Sequence, residues 1–103
     1  MLQIEKNLEN DAAVLALKGR LDTVTAPELE RALEEAMRGC KALTLDFSEL
    51  DYISSAGLRV LLSAQKHMNG QGEMKLVGVG DTVMEIFEVT GFAEILTIER
   101  NAD

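Results

Sequence analysis

The chain has 103 residues, 47% of them hydrophobic, and a formal charge of −8 from 18 acidic residues against 10 basic ones. That length supports one hydrophobic core and no second domain, and the composition is that of a folded chain. The charge excludes a phosphate-neutralising nucleic-acid surface and attachment to an anionic membrane, and it suits a protein partner with a basic contact surface. With three Phe, one Tyr and no Trp, the core must be built from Leu, Val, Ile, Ala and Met.

Leu2-Gln3-Ile4-Glu5-Lys6 alternates apolar and polar residues, as a half-exposed strand does. Asn10-Asp11 supplies a turn, and Ala12 to Leu17 is continuously apolar, which predicts a strand covered on both faces. The pair reads as an opening hairpin. A helix follows, with Thr25 and Glu28 at capping-box spacing and Pro27 in its first turn. Leu29, Ala32, Leu33, Ala36 and Met37 form its apolar stripe, and Gly39 marks a stop.

Leu43, Leu45 and Phe47 alternate with polar residues in a third strand. Leu58 to Met68 predicts a second helix ended by Asn69-Gly70, and Lys75 to Val79 a fourth strand. Thr82 and Glu85 repeat the capping-box spacing before a short helix carrying Val83, Ile86 and Phe87 and closing at Gly91. Ile95 to Ile98 is a last short strand before a polar tail. The order β-β-α-β-α-β-α-β predicts one α/β domain over residues 1–103. Its sheet should be mixed and mostly parallel, with an N-terminal hairpin and about three helices packed on it.

His67 and Cys40 are each the only residue of their kind, so neither a Ser-His-Asp triad nor a His-Glu-x-x-His site nor an internal disulfide can be assembled. No phosphate-cradling Gly-Lys-Ser/Thr loop occurs, and Gly78-Val79-Gly80 reads as a tight strand-to-helix turn. The expectation is a non-enzyme with no cofactor and no metal. A lone cysteine suits a reducing compartment, and no apolar run reaches the roughly 18 residues of a membrane span. The N-terminus also lacks a signal-peptide layout, so a cytoplasmic location without membrane insertion is expected.

The segment Tyr52-Ile53-Ser54-Ser55-Ala56-Gly57-Leu58 lies between an apolar strand and an apolar-periodic helix. One reading is ordinary helix capping, for which Ser is a preferred residue. The other is a modification site, because a helix N-terminus offers free N–H groups and a positive dipole end that tolerate a phosphate on Ser55.

Ser54-Ser55-Ala56-Gly57-Leu58-Arg59-Val60-Leu61-Leu62 resembles the signature of STAS domains, specifically of bacterial anti-sigma factor antagonists. The resemblance extends to Gly19-Arg20-Leu21-Asp22 with Ala26 and Leu29, and to Val83, Ile86-Phe87 and Thr90-Gly91-Phe92. It implies a protein that, unphosphorylated, binds a partner anti-sigma factor with serine kinase activity and so frees a sigma factor. Phosphorylation of one serine by that kinase switches it off, and a serine phosphatase resets it. The matching serine is Ser55. Many members carry an acidic residue just before that serine, where this chain has Ser54, which is the alternative acceptor. The resemblance assigns partner binding to Asp22, Ser54, Ser55, Ala56, Gly57 and Arg59. The acidic surface makes a free monomer the default. An alternative role is that of a soluble STAS accessory subunit of a lipid or anion transporter.

Overall fold

The computed structural model describes residues 1–99, and the polar tail, 100–103, lies outside the described residues. Strand β1 (Leu2–Glu9) pairs antiparallel with β2 (Ala12–Leu21) through the expected Asn10-Asp11 turn. Asn10 takes a left-handed φ of 57° there, which asparagine tolerates better than most residues. The chain continues through α1 (Ala26–Ala36), β3 (Ala42–Ile53), α2 (Ser55–Asn69), β4 (Glu73–Val77), α3 (Asp81–Thr90), α4 (Phe92–Ile95) and β5 (Ile98–Glu99). The sheet order is β1-β2-β3-β4-β5, and every pairing after the hairpin is parallel.

Side chains on a strand alternate between faces, so burial reveals where the helices lie. Ala13, Leu15 and Leu17 of β2, Leu43, Leu45 and Phe47 of β3, and Met74 and Leu76 of β4 are all buried. Their intervening neighbours Val14, Thr44 and Lys75 are exposed or half-buried. The helices therefore cover one face only, and β2 is not covered on both faces as its apolar run predicts. Ala12, Val14 and Ala16 simply face the open side, where isolated small apolar groups are ordinary.

Against the covered face, α1 presents Leu29, Ala32, Leu33 and Ala36, as its periodicity predicts. Helix α2 buries Leu58, Leu61, Ala64 and Met68, and α3 buries Val83 and Phe87. The Phe87 ring lies 6.3 Å from that of Phe47 at a tilt of 38°, within the range of favourable aromatic pairs.

Boundaries and caps depart from the sequence reading in identifiable ways. A fourth helix follows Gly91; it is a single turn, too short for periodicity to register. Strand β3 runs on to Ile53 through the polar stretch Ser48 to Asp51, its register against β2 shifting between Ala16 and Lys18 and between Gly19 and Arg20. Strand β4 stops at Val77 because Gly78 turns left-handed, with a φ of 67°. Neither capping box forms. The Thr25 side chain makes no cap hydrogen bond to α1, and α3 begins at Asp81, one residue before Thr82. The carbonyls near the end of α1 find a distant partner instead. Gln71 Nε2 donates to Met37 O at 2.6 Å, which also accepts from the Cys40 N–H, and to Cys40 O at 2.7 Å, tying the turn after α1 to the turn after α2.

Candidate functional site

Parallel pairing places Leu21, the last residue of β2, opposite Ile53, the last of β3. Whatever follows these two residues emerges at the same end of the sheet. After Leu21 comes the Asp22 loop; after Ile53 come Ser54 and Ser55. The Ser54 N–H donates to the Leu21 carbonyl at 2.9 Å and fastens the two segments together.

The loop is built around Asp22. Its Oδ1 accepts from the Val24 and Thr25 N–H groups, each at 3.0 Å, forming a turn closed by a side chain. Thr25 Oγ1 accepts from the Asp22 N–H at 2.8 Å and donates to the Arg20 carbonyl at 2.9 Å. Thr25 is thus a buried knot between the strand end and the helix start rather than a conventional cap. The hydrogen bonds from the Thr25 N–H and the Val24 N–H hold the Asp22 carboxyl below its ordinary value. On the sheet face just before this loop, the Arg20 guanidinium sits 4.5 Å from the centre of the Tyr52 ring.

The two serines divide their roles. Ser54 is the N-cap of α2, with extended backbone angles of φ −97° and ψ 174°, and its Oγ accepts from the Gly57 N–H at 3.4 Å. Its side chain is half-buried. Ser55 is the first helical residue and is exposed. The first turn of α2 contains no acidic residue, while Glu28 and Asp81 occupy the first turns of α1 and α3. Its positive dipole end is therefore not offset by a side-chain carboxylate of that turn.

Gly57 is what lets this turn sit so deep. A Cβ there would lie 2.7 Å from Leu21 Cγ and 2.9 Å from Ile53 Cγ1. Only a hydrogen atom fits between the helix and the two strand ends. Ala56 is half-buried beside it, and Arg59 is exposed one turn beyond Ser55, on the same helix face by its i+4 spacing.

Of the residues predicted for the site, Asp22, Ser54, Ser55, Ala56 and Gly57 meet at one end of the sheet, with Arg59 one turn away. Leu21, Thr25 and Val24 complete the same region and were missed by the sequence reading. Thr25 carried a signal, since its spacing to Glu28 drew attention to it, but as a cap. His67 is exposed near the far end of α2. Among the described residues no helix is long and apolar enough to cross a membrane.

An α/β sheet covered on one face, with a serine pair at the start of its second helix, defines the class. The chain belongs to the STAS domain family, whose model matches residues 3–103. Anti-sigma factor antagonists are among its relatives. The anti-sigma-B factor antagonist of Listeria monocytogenes is 33% identical over 98 residues, covering 92% of this chain and 85% of the relative. The crystal structure of an anti-sigma factor antagonist from Mycobacterium paratuberculosis superposes with a TM-score of 0.86 at 22% identity, over 95% of this chain and 85% of that one. The phosphorylated form of SpoIIAA, a Bacillus cell fate determinant, matches with a TM-score of 0.74 at 17% identity, over 100% of this chain and 93% of that one. At these identities the structural matches establish the fold.

Proposed function

We propose that this anti-sigma factor antagonist is a phosphorylation switch centred on Ser55. Unphosphorylated, it binds an anti-sigma factor that has serine kinase activity, and the partner then releases its sigma factor. Transfer of a phosphoryl group from ATP to Ser55 Oγ ends that binding, and a serine phosphatase restores it. The chain is a substrate and a binding partner in this scheme, not a catalyst. It acts in the cytoplasm as a monomer when free.

The observation that carries this reading is the division between the serines. Ser54 spends its hydroxyl on the helix cap, whereas Ser55 is exposed at a helix start that lacks a carboxylate in its first turn. A phosphate adds about −1.5 to −2 charges, and the N-terminus of α2 can accommodate them without loss of fold. A contact surface centred on Ser55 cannot. Bulk and an unmatched charge at an interface cost several kcal/mol, and each ~1.4 kcal/mol is about tenfold in affinity.

The test is to incubate the chain with its cognate kinase and ATP and to map the product by mass spectrometry. Phosphate on Ser55 is expected, and phosphate elsewhere would overturn the assignment. Ser55→Ala should bind the anti-sigma factor constitutively, and Ser55→Asp should bind it weakly. Equal affinities for the two variants would refute the electrostatic switch. Co-purification with a membrane transporter instead of a kinase-like partner would refute the regulatory role itself.

A further inference from the structure

We propose that Val24 is the apolar anchor through which the switch surface grips its partner, and that the partner offers an apolar recess edged by basic side chains. The inference rests on the reading of the Ser55 end of the sheet as the docking surface. Val24 is 81% exposed, although it is a β-branched apolar residue in a turn whose geometry favours polar residues. Among the described residues the other large exposed apolar side chains, Met1 excepted, lie elsewhere. Leu8 is at the hairpin, Val14 on the open sheet face, and Val89 and Ile95 on α3 and α4, while Met1, the other such side chain at this end of the sheet, sits beside Arg20, whose N–H donates to its carbonyl at 3.2 Å.

Val24 is also held in place. Its own N–H is fixed to Asp22 Oδ1 at 3.0 Å, the next N–H is fixed to the same oxygen, and the strand end before the loop is bonded to Ser54. A side chain mounted on so constrained a turn loses little backbone freedom when it is buried against a partner, which is how small apolar groups become strong contacts. Asp22 precedes it, and exposed Glu28 and Glu30 follow on α1, within a chain of charge −8. The complementary surface is therefore an apolar recess with Lys or Arg around it.

The experiment measures affinity of the unphosphorylated full chain for its purified cognate anti-sigma factor, using Val24→Asp, Val24→Ser, Val24→Ile and Ser55→Asp. Far-UV circular dichroism and thermal midpoint confirm that each variant is folded. Val24→Asp and Val24→Ser should weaken binding about tenfold or more, with Val24→Ile near wild type. Kinase assays with Val24→Asp and Val24→Ser should show a matching rise in KM for the chain as phosphoryl acceptor, with kcat retained. If Ser55→Asp weakens binding and the Val24 variants bind as wild type, the anchor is refuted and the switch stands. If the Val24 variants weaken binding and Ser55→Asp does not, the anchor stands and the serine switch is refuted. Wild-type affinity in all four variants would overturn both.

Discussion

Replacing Gly57 by alanine tests the packing that joins the two halves of the site. The added Cβ would sit 2.7 and 2.9 Å from Leu21 side-chain atoms and 2.9 Å from Ile53 Cγ1. Leu21 and Ile53 are both almost wholly buried, so neither can swing into solvent to make room. Overpacking of this kind costs about 1–3 kcal/mol. Alanine recovers up to about 1 kcal/mol through helix propensity, and less near a helix start. The net expectation is a loss of roughly 1–2 kcal/mol, which lowers the thermal midpoint by about 4–16 °C in a domain of this size. Urea denaturation with an unchanged m-value, together with calorimetry, measures it. Because Leu21 also anchors Ser54, binding to the anti-sigma factor should fall alongside stability. A Gly57→Ala protein as stable as wild type would refute the close fit of α2 against the strand ends.

The serine pair should separate in a stability assay: Ser54→Ala loses about 0.5–1 kcal/mol with its cap, whereas Ser55→Ala stays within about 0.5 kcal/mol of wild type, both read by urea denaturation. Asp22 should make stability depend on acid. Because its folded pKa lies below the ordinary 3.8, its contribution is present above that value and is lost as pH falls through the lowered folded value. Asp22→Asn should accordingly flatten the acid limb of a plot of thermal midpoint against pH, and an unchanged limb would count against the loop geometry. Gln71→Ala removes the side-chain donor to the Met37 and Cys40 carbonyls, of which Met37 O keeps the Cys40 N–H, and equilibrium unfolding should show a loss of about 1 kcal/mol.

Much of this architecture is legible before any coordinates. The Asn10-Asp11 turn, the stripe of α1 and the alternation through Leu43, Leu45 and Phe47 all reflect local periodicity, and all appear where the sequence puts them. The Ser54 cap was equally readable, since a cap is a contact between residues three apart. Long-range pairing was not. Nothing local shows that Leu21 and Ile53 end their strands side by side, so the meeting of Asp22 with Ser54 had to come from family resemblance or from the fold. Gln71 escaped for the same reason, and Thr25 for another: its partners are near in sequence but lie before the helix instead of in its first turn. Thr25 meets its spacing rule but answers to Asp22 and Arg20, and Gln71 reaches carbonyls more than thirty residues away. The open face of β2 is not legible locally, because Ala12, Val14 and Ala16 read as core residues yet sit on an open sheet surface.

The exposed position of Ser55 at the first helical residue carries a kinetic consequence. A modifying enzyme can reach this hydroxyl in the native state, without waiting for a rare local opening. Where access requires opening, the modification rate follows the population of opened molecules and falls as a protein is stabilised. Here the rate at which the chain is marked should be insensitive to changes in core stability. In the proposed switch, the lifetime of each state would then be set by the kinase and phosphatase and by the concentrations at which they meet the chain.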